Sequence, residues 1–102
     1  MTLAEDGTGW VEIAVQVAGI DAEVAADIFR QACPGGAAVQ PATRFDANSD
    51  AYVVDGDAPA VVRGYLPDDA TVGRVRDSLR LALRMAPLQS APRWRQPRSG
   101  GN

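Results

Sequence analysis

Residues Trp10 to Val17 alternate: Val11, Ile13, Val15 and Val17 point one way, and Trp10, Glu12, Ala14 and Gln16 the other. A period of two marks a strand with one buried face, which needs both a partner ladder and a cover for its apolar side. That requirement governs the reading of the remaining chain of 102 residues. The cover follows at once. Ile20 and Asp21 occupy the positions of a hydrophobic staple and an N-cap, and Ala22 to Cys33 has helical periodicity. Val24, Ala25, Ile28, Phe29, Ala32 and Cys33 fill one arc, with Glu23, Asp27, Arg30 and Gln31 opposite. Pro34, Gly35 and Gly36 stop this helix, Gly supplying the positive φ common just past a helix end.

Ala37 to Gln40 predicts a short second strand running towards Pro41, a residue that suits a sheet edge. Thr43 to Pro59, rich in Asp, Asn, Ser and Gly, reads as a long hairpin excursion with one extra short strand at Tyr52, Val53 and Val54. Ala60 to Leu66 is the next main strand. Pro67, Asp68 and Asp69 turn the chain into a helix starting near Thr71, with Val72, Val75, Leu79, Ala82, Leu83 and Ala86 as its apolar stripe and Pro87 as its stop. Arg93 to Gln96 predicts a last short strand with Trp94 inward. Strand, helix, strand, strand, helix, strand predicts an α+β fold, the ferredoxin-like split βαβ sandwich: a four-stranded antiparallel sheet with two helices on one face and right-handed crossovers. The expected bounds are a disordered leader at 1–8, a single ferredoxin-like domain at 9–96, and a linker or disordered tail at 97–102. Ile13, Val15, Ile28, Phe29, Val62, Leu66, Val75 and Leu79 are the expected core.

Composition narrows the chemistry. Apolar residues make up 46% of the chain, enough for a modest core. One Cys and no His exclude a disulfide framework, the common zinc patterns and any triad that uses His as base. The segment Met1 to Gly9 has neither a basic start nor a hydrophobic block, so the expected compartment is the cytosol. All ten cations are Arg, and they are unevenly spread. Residues 1–69 carry twelve acids against three Arg, whereas residues 70–102 carry one acid against seven Arg. An acidic chain without Lys is a poor general phosphate binder, which argues against nucleic acid as a direct partner.

Several short motifs have simpler readings than the chemistry they suggest. Asp6-Gly7-Thr8-Gly9 has the glycines of an S-adenosylmethionine loop but precedes a strand instead of linking a strand to a helix. Arg63-Gly64-Tyr65 echoes an RNA-recognition octamer, yet Leu66-Pro67-Asp68-Asp69 supplies no second aromatic and sets two carboxylates where phosphates would lie. Cys33, at a helix C-terminus without a His, reads as a small hydrophobe. Asp68 and Asp69 read as helix caps. Asp46, Asn48, Asp50, Asp55 and Asp57 lack the glycine and final glutamate of a calcium loop and read as turn residues. No set of residues forms a catalytic constellation.

Gly9-Trp10-Val11-Glu12-Ile13, the acid-led first helix, the run Ala60-Val61-Val62-Arg63-Gly64-Tyr65-Leu66-Pro67-Asp68-Asp69 and Pro92-Arg93-Trp94-Arg95 together resemble the N-terminal domain of the PrmA family. These bacterial methyltransferases trimethylate large-subunit ribosomal protein eleven. The resemblance spans residues 9–96, and the strand ending in Gly64-Tyr65-Leu66-Pro67 is its most specific piece. It implies a ferredoxin-like substrate-recognition module, with S-adenosylmethionine held by a separate Rossmann-like catalytic domain. After Arg95 the sequence departs from the family pattern, so no catalytic or cofactor-binding residue is carried over. The expectation is either an excised recognition domain or a stand-alone relative, with no cofactor and no enzyme activity in this chain alone. A ribosomal protein substrate is the expected partner, and no membrane is involved. The alternatives are a small-metabolite-sensing module and an RNA-binding module of the same fold.

Strand alternation picks the partner-binding residues. If Val11, Ile13, Val15 and Val17 are buried, Glu12 and Gln16 are exposed, and the charge of Arg63 sets the outward phase of its strand and brings Tyr65 with it. Arg93 and Arg95 join them if Trp94 points inward. Tyr and Arg are the residue types that most often carry interface energy. Leu81 and Met85, on the outer side of the second helix, are the next candidates.

Overall fold

The alternating segment Trp10–Val17 forms β1 and the helix after it α1 (Ala22–Ala32), joined by a short 3-10 turn at Gly19–Asp21. Then come β2 (Ala37–Gln40), β3 (Thr43–Asp46), β4 (Ala51–Val54), β5 (Ala60–Pro67), α2 (Val72–Met85), β6 (Arg93–Trp94) and β7 (Arg98–Gly100). The computed structural model describes residues 9–55 and 58–100. The 1–8 leader with its Asp6-Gly7-Thr8 motif, Asp57 and the last two tail residues lie outside the described residues.

β1 pairs antiparallel with β5 along its full length, from Trp10 opposite Pro67 to Val17 opposite Ala60. The strand order is β2-β5-β1-β6, and β7 also pairs with β1. This α+β sheet therefore has five strands, which corrects the expectation of four. The extra strand lies where a linker or tail was expected. Segments that short carry too little periodicity to be read, and pairing with β1 satisfies their backbone groups.

Val11, Ile13, Val15 and Val17 are buried together with Val62 and Leu66 of β5, and both helices pack on that side. Phe29 is fully buried and stacks on Trp94, with ring centroids 6.2 Å apart and 20° between planes. Arg80 lies 5.6 Å over the other ring contact of this stack, Trp94. Of the expected core, Ile28 and Val75 are half-buried; the other six residues are buried. Gly64 has a specific reason: a Cβ there would meet Cys33 Sγ and come within 2.8 Å of Phe29 Cδ2. Glycine lets α1 settle directly on β5.

Four local expectations are corrected. Asp21 stands at the N-cap position but makes no side-chain cap. Its buried carboxylate instead accepts the backbone N–H of Gln89 at 2.8 and 3.0 Å and of Ser90 at 3.2 Å, tying the α1 start to the loop after α2. Ile20 is 73% exposed and staples nothing. Ala82 is exposed, so the α2 stripe is narrower than its periodicity suggested, with Leu79 and Leu83 as its buried residues. The excursion holds two strands instead of one, β3 and β4, which form their own antiparallel ribbon. No helix among the described residues is long and apolar enough to cross a membrane.

Candidate partner-binding face

The helices cover one side of the sheet and leave the other uncovered. The pairing register sets what this open face displays, because residues directly opposite in an antiparallel ladder point the same way. Glu12 lies opposite Tyr65, Ala14 opposite Arg63, and Gln16 opposite Val61. On the far side of β5, Ala38 lies opposite Arg63 and Gln40 opposite Val61. Glu12, Gln16, Arg63 and Tyr65 thus share one face.

The last part of the chain adds an arginine row along the outer edge of β1. Arg93 lies opposite Gln16 and Trp94 opposite Val15, so Trp94 points to the core and Arg93 away from it. Arg95 donates its backbone N–H to Ala14 O at 3.0 Å. From Trp94 to Arg98 the outer strand advances one residue more than β1 does from Val15 to Glu12, which is a β-bulge. Pro97, unable to donate to a ladder, lies within it. The bulge reverses the alternation, so Arg98 comes to lie opposite Glu12 on the open face. Arg93, Arg95 and Arg98 therefore all flank it, and the face is cationic although the chain's net charge is −3.

These side chains are tied to one another. Arg63 Nε approaches Glu12 Oε1 at 3.4 Å, and Arg63 Nη1 donates to Gln40 Oε1 at 2.6 Å. Arg95 Nη2 donates to Gln16 Oε1 at 3.4 Å. Ala14, small enough to sit beneath this network, is buried even though it faces the open side. A cavity of about 400 Å³ opens among Gln16, Gln40, Arg63 and Arg95, walled by Pro41, Ala42, Pro59 and Val61.

The other end of the face is apolar. Trp10 meets Tyr65 edge to face, centroids 5.9 Å apart, and the two rings border a groove of about 310 Å³ with Pro34, Gly35, Leu66 and Pro67. Gly35 N donates to Tyr65 O at 2.8 Å and Tyr65 N donates to Gly36 O at 3.1 Å, which anchors the Tyr65 backbone. A Cβ on Gly35 would fall 2.6 Å from Tyr65 O, and Gly36 has φ +92°, so both glycines are needed for this approach.

Sequence reasoning missed Trp10, Gln40 and Arg98. Trp10 was visible in the alternation as an outward residue. Gln40 belongs to a strand of four residues without alternation, and Arg98 depends on the bulge; neither left a signal. Leu81 and Met85 are exposed on α2, as expected. Burial pushes the Cys33 thiol above its ordinary pKa, which keeps it protonated among apolar neighbours. Asp46 serves its own turn, accepting from Asn48 N at 3.0 Å and Ser49 Oγ at 3.1 Å. Comparison with protein-family models, with curated proteins and with solved structures finds no match to this chain.

Proposed function

We propose that this chain is a protein-recognition module with a ferredoxin-like sandwich at its centre, whose open sheet face receives a ribosomal protein substrate for a methyltransferase active site supplied elsewhere. Support for the sandwich comes from the order β2-β5-β1-β6, with α1 between β1 and β2 and α2 between β5 and β6. On this reading the β3–β4 ribbon is an insertion and β7 a continuation of β6. The PrmA resemblance supplies the substrate class, large-subunit ribosomal protein eleven, and the cytosol as its compartment. The observation that carries the proposal is the open face itself: Trp10, Glu12, Arg63 and Tyr65 all come from the segments of that resemblance and lie side by side on a face no helix covers. Anchored aromatic and arginine side chains lose little freedom on binding, which suits them to hold a partner.

S-adenosylmethionine belongs on this reading to the separate catalytic half. The glycine turn after α1 does not suit it, since the Tyr65 carbonyl fills the space beside Gly35. The test is an NMR titration of labelled chain with ribosomal protein eleven. Saturable shifts on β1 and β5, weakened by Arg63→Glu and Tyr65→Ala at unchanged melting temperature, are expected. Shifts confined to α2 around Leu81 and Met85 would refute the assignment, and tighter binding to RNA with a steep salt dependence would favour the nucleic-acid alternative.

A further inference from the structure

We propose that the cavity among Gln16, Gln40, Arg63 and Arg95 is a carboxylate site, built for an acid group on a short aliphatic stem. This deepens the recognition function above and rests on it only in naming a bound protein as one source of that carboxylate. The side chains of the cavity hold more hydrogen-bond donors than they use on one another. Gln40 Oε1 is taken by Arg63 and Gln16 Oε1 by Arg95. Each glutamine therefore has its oxygen turned to an arginine and keeps its amide N–H groups to offer. Arg63 still has Nη2, and Arg95 still has Nε and Nη1, without acceptors among the described residues.

Among the described residues no carboxylate lines the cavity. A lining with spare cationic donors and no acid of its own among the described residues suits an acceptor-only group, and a guanidinium fork matches the two coplanar oxygens of a carboxylate. The charge selects the valence. Of the two arginines that line the cavity, Arg63 is already paired with Glu12 and Arg95 is left as the one lining cation without an acid partner among the described residues, which suits a monoanion better than a phosphate dianion. Pro41, Ala42, Pro59 and Val61 then offer aliphatic wall for a methylene stem, and the two prolines bring no further N–H.

The probes are butyrate, inorganic phosphate, and a short capped peptide with one central Glu beside its Gln twin. The readout is the side-chain N–H resonances of Arg63, Arg95, Gln16 and Gln40 in the full chain at constant ionic strength. Saturable shifts with the Glu peptide and not its Gln twin are expected. Shifts with the peptide alone identify a protein-borne carboxylate, and shifts with butyrate as well admit a free acid. Gln40→Glu, which offers Arg63 an internal carboxylate, and Arg95→Gln should each weaken binding by at least about tenfold. Arg95 is exposed, so its variant remains informative even if Gln40→Glu fails to fold. No saturable shift with either acid, equal response to the Glu and Gln peptides, phosphate tighter than butyrate, or affinity unchanged in Arg95→Gln would overturn the site. Ribosomal protein binding lost in Tyr65→Ala yet indifferent to Arg95→Gln would leave the recognition function standing and remove the carboxylate site; carboxylate binding without any ribosomal protein binding would do the reverse.

Discussion

Two antiparallel ladders in this molecule obey the same hydrogen-bonding rules and differ in what lies against them. The β1–β5 ladder pairs eight residues of each strand and has both helices on one face. The β3–β4 ribbon pairs four, and its contacts with the rest of the described chain are sparse. Its aromatic pair, Phe45 and Tyr52, meets edge to face at 5.5 Å, yet Tyr52 remains 75% exposed. Backbone pairing does not by itself make a stable sheet, because its net contribution is small until apolar area is also removed from water. The main ladder has that cover and the ribbon does not.

The largest expected effect tests this contrast directly. Phe29→Ala empties the fully buried site between β5 and Trp94 and should cost about 3–5 kcal/mol, enough to unfold a domain of this size. Tyr52→Ala removes an equally aromatic side chain from the ribbon and should leave global stability within about 0.5 kcal/mol. Denaturant melts of the two variants decide it. A comparable loss in both would mean that the ribbon shares the cooperative unit of the main sheet.

A smaller pair of changes sharpens the same point at glycines. Gly64→Ala drives a methyl group against Cys33 and Phe29 where α1 lies on β5, and overpacking of this kind costs about 1–3 kcal/mol. Gly73, near the start of α2, has open space around its would-be Cβ, so Gly73→Ala should gain up to about 1 kcal/mol through helix propensity. Opposite signs in thermal melts are expected. Two losses would show that α2 begins in tighter surroundings than its exposure suggests.

The same contrast explains what was legible beforehand. β1 and both helices could be read because their periods persist over several residues, and burial enforces such periods. Trp94 could be placed inward because it is the one large apolar residue between two arginines. Asp21 could not be placed correctly: its capping role follows from local sequence, while its actual partners, Gln89 and Ser90, are far along the chain and brought near only by folding. Arg98 was misplaced for a related reason, since a one-residue bulge reverses every later side chain without leaving a periodic trace. The polar half of the face was legible wherever it shared a strand with a buried stripe, and it was lost at Gln40, where no stripe exists.

The smallest effect concerns the acid that leads the main ladder into its cover. Asp69 Oδ1 accepts from Thr71 N at 2.8 Å and from Thr71 Oγ1 at 2.6 Å, just ahead of α2. Those bonds, the hydroxyl first and the amide second, hold the Asp69 carboxyl below its ordinary value of 3.8. Both bonds are stronger to the ionised carboxylate than to the neutral acid. A carboxylate whose pKa falls on folding stabilises the native state fully above the unfolded-state pKa, and that contribution is lost as pH drops through the folded pKa. The α2 start should therefore loosen only below about pH 4, the unfolded-state value, with a small amplitude because the group is fully exposed to solvent and salt. The Thr71 amide resonance should follow this titration and move towards its unbonded position in acid. Asp69→Asn keeps the acceptor oxygen without the charge and should flatten the acid response of Thr71. A Thr71 titration that persists in that variant would assign the loosening to the fold as a whole and would refute a role for Asp69 at the entrance of α2.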